Sequence, residues 1–451
     1  MGTTSELVFI SFPALSHLAL MVEMARRPVN RNNRLSVTVL IIKFPFNSKI
    51  DSNVQSFTAS VTTRICFILL PQLNPSLETS AMAFLNQSVE SHKADVQGAI
   101  ANLSARSLPR LKGLIVDMFC TSMIDVAVKF GIPSYVFIPL GVACSDTELD
   151  FPCFANPLPA TKFLPAEMFM KEDCRIFLGH ARKFRETKGI LVNTFAELEP
   201  RAVEALADLG APVVYPVGPI LNIEVESKKG FEILDWLHQQ PDASVVLLFF
   251  RRYGSFDEDQ TKQIACALDR SGCRFLWSLR RPPAKGKLEA PCDYAGSRGE
   301  GFINQTASVG RVIGWAPQVA ILAHRAIGVL MSHCGWNSTL ESGWFGVPVA
   351  AWPQYAEQQF NAFQLVIELS LAMEIRRDYR RDLVKGSDSI VTTDEMEGVI
   401  RRLMEREEAK EMRKKVKEAS EKRKKALVEG GSRYLSLGRV IEDVCSRQAS
   451  S

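Results

Sequence analysis

A rhythm constrains this chain more than any single motif. Short runs of branched apolar residues recur along it, and stretches with helical spacing separate them. The runs fall at 8–11, 35–42, 64–70, 113–117, 134–138, 189–193 and 213–217, then at 244–250, 274–279, 309–313, 328–333 and 347–352. A run that stays apolar instead of alternating has both faces covered, as a strand of a parallel sheet does. Parallel neighbours need long crossovers, so this alternation predicts α/β sheets wound by helices. The stretch 18–26 has helical spacing and follows a loop that holds Pro13, Ser16 and His17. A second helix is expected over 257–270, entered through Ser255 and Glu258 at capping-box spacing.

Two such series exceed one core. A chain of 451 residues is expected to split into two domains. After Val217, Gly218 and Pro219 the text turns polar over 222–230 before the second series begins. The predicted division is a first domain over 1–219, a linker over 220–231, a second domain over 232–431, and an amphipathic tail over 432–451 after Gly430 and Gly431.

Several function classes are disfavoured by composition. The net charge is only +4, and the densest basic stretch, 410–425, is interleaved with Glu411, Glu418 and Glu421. That pattern reads as a solvated helix face, without the basic stripe and interleaved aromatics of a nucleic-acid binder. Ten cysteines show neither CxxC pairing nor ligand spacing with histidine, so they read as reduced thiols in a cytoplasmic protein. The apolar run 7–22 follows Glu6 and is broken by Pro13, Ser16 and His17, which fits neither a signal peptide nor a membrane span. No Gly-x-Gly-x-x-Gly turn follows a strand, against a nicotinamide-dependent oxidoreductase.

In open parallel sheets ligands bind beyond the carboxyl ends of strands. Asp117 and His333 fall at such ends, and His17 follows the first strand. The segment 315–358 is the most specific: Trp315, Ala316, Pro317 and Gln318, then a strand ending in His333, a helix opening at Asn337 and Ser338, and a closing pair, Glu357 and Gln358. An isolated tryptophan is as often an ordinary core residue. Beside the Pro317–Gln318 turn, Trp315 instead offers a plane for stacking a base, worth about 0.5–1.5 kcal/mol beyond burial. Gln318 and Glu341 suit ribose hydroxyls. A helix opening at Asn337 and Ser338 presents unpaired N–H groups and partial positive charge to a diphosphate, and His333 can add a donor. Glu357 and Gln358 can hold sugar hydroxyls. In that order the segment matches a nucleotide-sugar.

The same segment closely resembles the signature box of plant UDP-dependent glycosyltransferases, glycosyltransferase family 1, in Trp315, Gln318, the run His333, Cys334, Gly335, Trp336, Asn337 and Ser338, then Glu341, Glu357 and Gln358. Upstream, 114–117 with Phe119 and Cys120, and 189–200, resemble that family too. The resemblance implies a GT-B fold, two facing doubly wound Rossmann-like domains with an interdomain cleft, and a tail that crosses back to the first domain. It implies His17 as the base and Asp117 as its partner. Gln358 and Trp336 imply glucose, so UDP-glucose is the expected donor. The expected reaction is inverting transfer to a hydroxyl of a small lipophilic acceptor (flavonoid, other phenolic or terpenoid), giving a β-O-glucoside. Resemblance around 154–157 and 185–189 points to a branch acting on phenolics, terpenoids and some hormones. No cofactor, obligatory metal, nucleic acid or membrane insertion is implied, and a monomer is expected.

The chain departs from the family pattern at three places. Arg251 and Arg252 stand where Gly-Ser is usual, so Arg252 and Ser255 become possible phosphate contacts, or the guanidinium groups block the site. Ser16 replaces a usual glycine, which predicts a reshaped loop. The stretch 141–154 is shorter. A weak or inactive UDP-sugar-binding homologue is therefore the alternative.

Overall fold

The structure, a computed structural model, describes residues 5–43, 62–72, 81–107, 111–139, 153–156, 171–221, 231–250, 255–281, 292–293, 309–314, 317–379, 389–405 and 407–445. The chain divides into two compact units. One comprises Met1–Cys144, Glu167–Asn222 and Lys425–Ser451, the other Ser145–Ala166 and Ile223–Lys424.

The first unit holds seven strands: β1 (Ser5–Ser11), β2 (Leu35–Ile41), β3 (Ile65–Leu69), β4 (Leu111–Asp117), β5 (Ser134–Ile138), β6 (Gly189–Val192) and β7 (Val213–Pro216). They form one sheet in the order β3-β2-β1-β4-β5-β6-β7, parallel throughout. Its crossovers carry α1 (Leu15–Arg31), α2 (Ala81–Ser91), α3 (Lys93–Ser107), α4 (Ile124–Lys129), α5 (Lys171–Phe184) and α6 (Pro200–Asp208). Leu7 and Phe9 of β1 pack with Leu18, Met21 and Met24 of α1 in one apolar cluster. Glu6, buried in β1, is satisfied by the Thr38 hydroxyl at 2.7 Å.

The second unit holds α7 (Phe231–His238), β8 (Val245–Phe249), α8 (Glu258–Ser271), β9 (Arg274–Ser278), a two-stranded pair β10 (Arg280–Arg281) and β11 (Cys292–Asp293), β12 (Gly310–Ile313), α9 (Gln318–Leu322), β13 (Ile327–Ser332), α10 (Trp336–Phe345), β14 (Val349–Ala351), α11 (Gln358–Phe363) and β15 (Ala372–Glu374). Then come α12 (Thr393–Met404) and α13 (Glu407–Leu427). Six strands form a second parallel sheet, in the order β12-β9-β8-β13-β14-β15. Its two faces carry separate apolar clusters, one around Trp277 and Trp352, the other around Leu247 and Leu330. The last helix, α14 (Ser432–Cys445), belongs to the first unit, where Leu437, Val440, Ile441 and Val444 join the cluster of β1 and α1.

In both sheets the order reverses beside the first strand: between β1 and β4 in one, and between β8 and β13 in the other. Loops leaving such neighbours run to opposite faces, which opens a crevice at their carboxyl ends. This topology places the sites.

Some expectations change. α1 starts at Leu15, so His17 lies on its first turn and not in a loop. Ser16 is exposed on that turn and is not among the residues with positive φ, so it strains nothing. α1 also runs past Arg26 to Arg31 through Pro28, an interior proline that ordinarily costs about 3 kcal/mol. Here Pro28 and Val29 are buried, and the apolar contact sustains the helix. The cap of α8 is Asp257, whose carboxylate accepts the Gln260 N–H at 2.8 Å, and not Ser255, which is buried. A capping box that sequence reading passed over opens α12, where Thr392 and Glu395 satisfy each other's backbone N–H. Residues 153–156, expected in the first domain, cluster with the second unit, and residues 425–431, expected in the second, cluster with the first, where the tail from 432 was expected. The expected linker 220–231 lies mostly outside the described residues.

Candidate active site

β4 ends at Asp117, and the turn after it is tight. The Cys120 N–H donates to the Asp117 carbonyl at 2.7 Å, and the Phe119 N–H donates to the Asp117 carboxylate at 3.1 Å. The other carboxylate oxygen lies 2.8 Å from Nδ1 of His17. Asp117 is fully buried, whereas the His17 side chain keeps 14% exposure. A carboxylate without solvent holds the proton on Nδ1, so Nε2 carries the lone pair. His17 opens the helix that follows β1, and Asp117 ends β4; those two strands flank the reversal of the sheet, which is why residues 100 apart in sequence meet.

Aromatic rings fix the imidazole. Phe12 and Phe119 stand 5.3 Å and 5.9 Å from it, and 5.2 Å from each other. Behind Phe119 lies His180 of α5, edge-on at 5.8 Å, its Nδ1 2.7 Å from the Thr121 hydroxyl. Burial pushes the His180 pKa down to about 4, against the opposing pull of Asp117, so it is neutral near pH 7. Burial, followed by the Asp117 charge, raises the Cys120 thiol, which excludes a thiolate there. Sequence reading missed His180; one histidine on an amphipathic helix gives no signal until the fold places Thr121 against it.

In the second unit β13 ends at Ser332, and His333 follows, buried. Cys334 adopts φ +59°, an uncommon left-handed residue that turns the chain sharply. Gly335 is the N-cap of α10 and offers no side chain to the first N–H groups. A Cβ at Gly335 would stand 2.6 Å from Nε2 of His333, so the imidazole lies over the bare α-carbon. The amino end of α10 therefore exposes backbone donors beside a histidine, an arrangement suited to phosphate. Oδ1 of Asn337 is buried with no hydrogen-bond partner among the described residues. Cys334 is pushed up to about 12 by burial, partly offset by a backbone hydrogen bond from Trp352, so it is a neutral thiol.

The remaining predicted residues group around this turn. Gln318 opens α9, and its Nε2 donates to Ser338 Oγ at 3.1 Å. Trp336 and Glu341 are buried on α10. Glu357 is the N-cap of α11, and Oε1 of Gln358 accepts the N–H groups of Gln354 and Tyr355 at 3.0 and 3.2 Å, leaving its amide NH2 for another acceptor. Asn361 donates to the Cys334 carbonyl at 2.9 Å and ties α11 to the His333 turn. Ser255 is buried ahead of α8, where Phe256 stacks on Trp352 at 4.9 Å. Trp315, Ala316, Arg251 and Arg252 lie outside the described residues, as does 141–152 of the shortened segment. Among the described residues no group of three or more His, Cys, Asp or Glu could hold a metal ion, and no helix is long and apolar enough to cross a membrane.

A family model for "UDP-glucoronosyl and UDP-glucosyl transferase" matches residues 220–394, which carry this second site. Over nearly the whole chain, UDP-glycosyltransferase 71A15 of Malus domestica is 46% identical, with 98% of this chain and 100% of the relative covered. The chain belongs to the UDP-glycosyltransferase family. UDP-glucose flavonoid 3-O-glucosyltransferase 6 of Fragaria ananassa is likewise 46% identical, over 98% of this chain and 99% of its own. Among solved structures, a transferase from Siraitia grosvenorii in complex with UDP is 42% identical with a TM-score of 0.85, covering 98% of this chain and 100% of that one. The Medicago truncatula UGT71G1 complexed with UDP-glucose is 37% identical with a TM-score of 0.86, covering 98% of both chains. This UDP-glycosyltransferase thus has the GT-B class of fold, two Rossmann-like α/β domains.

Proposed function

We propose that the enzyme transfers glucose from UDP-glucose to a hydroxyl of a small lipophilic acceptor, a flavonoid, another phenolic or a terpenoid, with inversion to a β-O-glucoside. The observation that carries this reading is the 2.8 Å contact between His17 Nδ1 and the fully buried Asp117 carboxylate. It leaves Nε2 to take the proton of the acceptor hydroxyl, and the carboxylate stabilises the imidazolium that forms. As that proton leaves, the acceptor oxygen attacks the anomeric carbon, and the bond from that carbon to the diphosphate oxygen breaks. UDP departs with the bonding electrons.

Charge growing on the leaving diphosphate is met by the N–H groups opening α10, by His333, and by Asn337 and Ser338. Such donors lower the need for a metal ion, so none is included in the mechanism. Gln318 and Glu341 take the ribose, Trp315 and Ala316 the uracil, and Glu357 and Gln358 the glucose; Trp336 favours glucose over glucuronic acid. Arg252 and Ser255 are assigned to phosphate. The Phe12 and Phe119 rings beside His17 suit a flat apolar acceptor. The name of the Fragaria relative, a UDP-glucose flavonoid glucosyltransferase, supports a hexosyl transfer of this type, and that of the Malus relative a glycosyl transfer from a UDP-sugar. We assign the enzyme to the cytoplasm, where the eight described cysteines, all free, would stay reduced, and take it to act as a monomer.

Incubation with UDP-glucose and a mixed aglycone library, read by product mass spectrometry and by the anomeric proton coupling, tests the reading. The expected product is the aglycone plus one hexose, β-linked. UDP release with no glucoside of any aglycone would overturn it.

A further inference from the structure

The segment 153–156 comes from the amino-terminal half of the sequence, yet it clusters with the second unit. Cys153 is buried there. The Phe154 ring stacks on Phe360 at 6.4 Å and 19°, and meets Phe363 at 5.2 Å. Both partners are buried residues of α11. Beyond α11 the chain makes a π-helical turn, Gln364–Glu368. At its end the Glu368 carboxylate accepts three hydrogen bonds from the segment. Oε2 takes the Ala155 N–H, and Oε1 takes the Asn156 N–H and the Asn156 side-chain amide, each at 2.9 Å. Bonds to an ionised acceptor are roughly twice as strong as neutral ones. Two consecutive backbone N–H groups aimed at one carboxylate fix the direction of the strap as well as its position.

α11 is short, and what it carries is exacting. Glu357 is its N-cap and Gln358 its first residue. Gln358 also holds the 354–355 turn, and Asn361 holds the Cys334 carbonyl. One side of the helix is thus tied to the phosphate turn. Its other side bears Phe360 and Phe363 under Phe154. A six-residue helix has little stability of its own.

We infer that residues 153–156 form a positioning strap for the donor sugar: Phe154, clamped by Glu368, sets α11 and hence the attitude of Glu357 and Gln358 toward the hexose. This rests on the reading that those two residues hold glucose. The ring contacts of the strap fall on the side of α11 away from the phosphate turn, and its hydrogen bonds fall on Glu368, so its loss acts on UDP-glucose more than on UDP.

Two measurements on the full-length protein test it. Hydrogen–deuterium exchange of 358–363 reads the strap without turnover, and calorimetric titration compares UDP with UDP-glucose. Phe154→Ala and Glu368→Ala are expected to speed exchange in 358–363. They should weaken UDP-glucose roughly five- to thirtyfold, the effect of losing one such ring contact or clamp, while UDP changes less than about twofold. Phe154→Leu restores most of the loss, because it refills the volume over Phe363. Unchanged exchange in 358–363, or equal weakening of UDP and UDP-glucose, overturns the strap. A wild-type protein that makes no glucoside overturns the proposed reaction alone, since exchange still reports the strap.

Discussion

The His333 imidazole lies against the α-carbon of Gly335, so close that a methyl group there would come within 2.6 Å of Nε2. The turn tolerates only glycine unless the ring moves. Gly335→Ala is expected to swing His333 off the amino end of α10 and cost one hydrogen bond to a charged group. That corresponds to about 1.5–3 kcal/mol, or roughly a ten- to hundredfold weaker Kd for UDP. Calorimetric titration with UDP reads the change, and an unchanged Kd would detach His333 from phosphate.

At the other site, His17→Ala is expected to lower kcat by roughly a hundred- to ten-thousandfold while the Kd for UDP stays put, because a general base acts on the acceptor proton only. Asp117→Asn removes the charge that fixes the tautomer and should fall in a similar range. Steady-state kinetics on one aglycone, beside UDP titration, checks both. Turnover within twofold of wild type for His17→Ala would end its role as base.

Stability should fall in mild acid. His180 has a folded pKa of about 4 against 6.5 for the free side chain, with burial as the main cause. From pH 6.5 down to about 4 the unfolded chain takes a proton that the folded one refuses, so stability drops through that window and His180 adds no further loss below it. The full cost is about 3 kcal/mol. His180→Gln, which can still bond Thr121, should flatten this part of the profile. Denaturant unfolding at pH 7 and pH 4.5 of both proteins measures the difference; parallel profiles would refute it.

The capping box at Thr392 and Glu395 makes a local prediction. Thr392→Ala leaves an N–H of α12 without its acceptor and should cost about 1 kcal/mol, a fall of ~2 °C in Tm. Glycosyl transfer at 25 °C should be unaffected, since the hydrogen bonds of Thr392 and Glu395 run to each other and to Arg376.

Much of this was legible before the fold was known. Continuous apolar runs betray strands buried on both faces, and observed strands lie within a few residues of the expected runs. The short β15 escaped, as three residues such as Ala372–Glu374 carry no periodicity. Pro28 hid the second half of α1, because the packing that outweighs a proline is tertiary. His17, Asp117 and the 315–358 residues stood out by motif, but motif spacing gave no hint that Gln318 would engage Ser338, or that Asp117 would share a neighbourhood with His180. Phe154 and Glu368 were least legible of all, since contacts such as that of Ala155 with Glu368, 213 residues apart, follow only from topology.

The buried face of α14 carries one more consequence. The Tyr215 hydroxyl donates to the Asp443 carboxylate, and Arg433 reaches the Val217 carbonyl. Tyr215 must wait for a partner 228 positions further along the chain. During synthesis the seven-stranded sheet therefore emerges with one flank bare, and an entire second domain is translated before the cover arrives. The order of assembly is nested: the inner module can finish first, and the outer one closes around the delay.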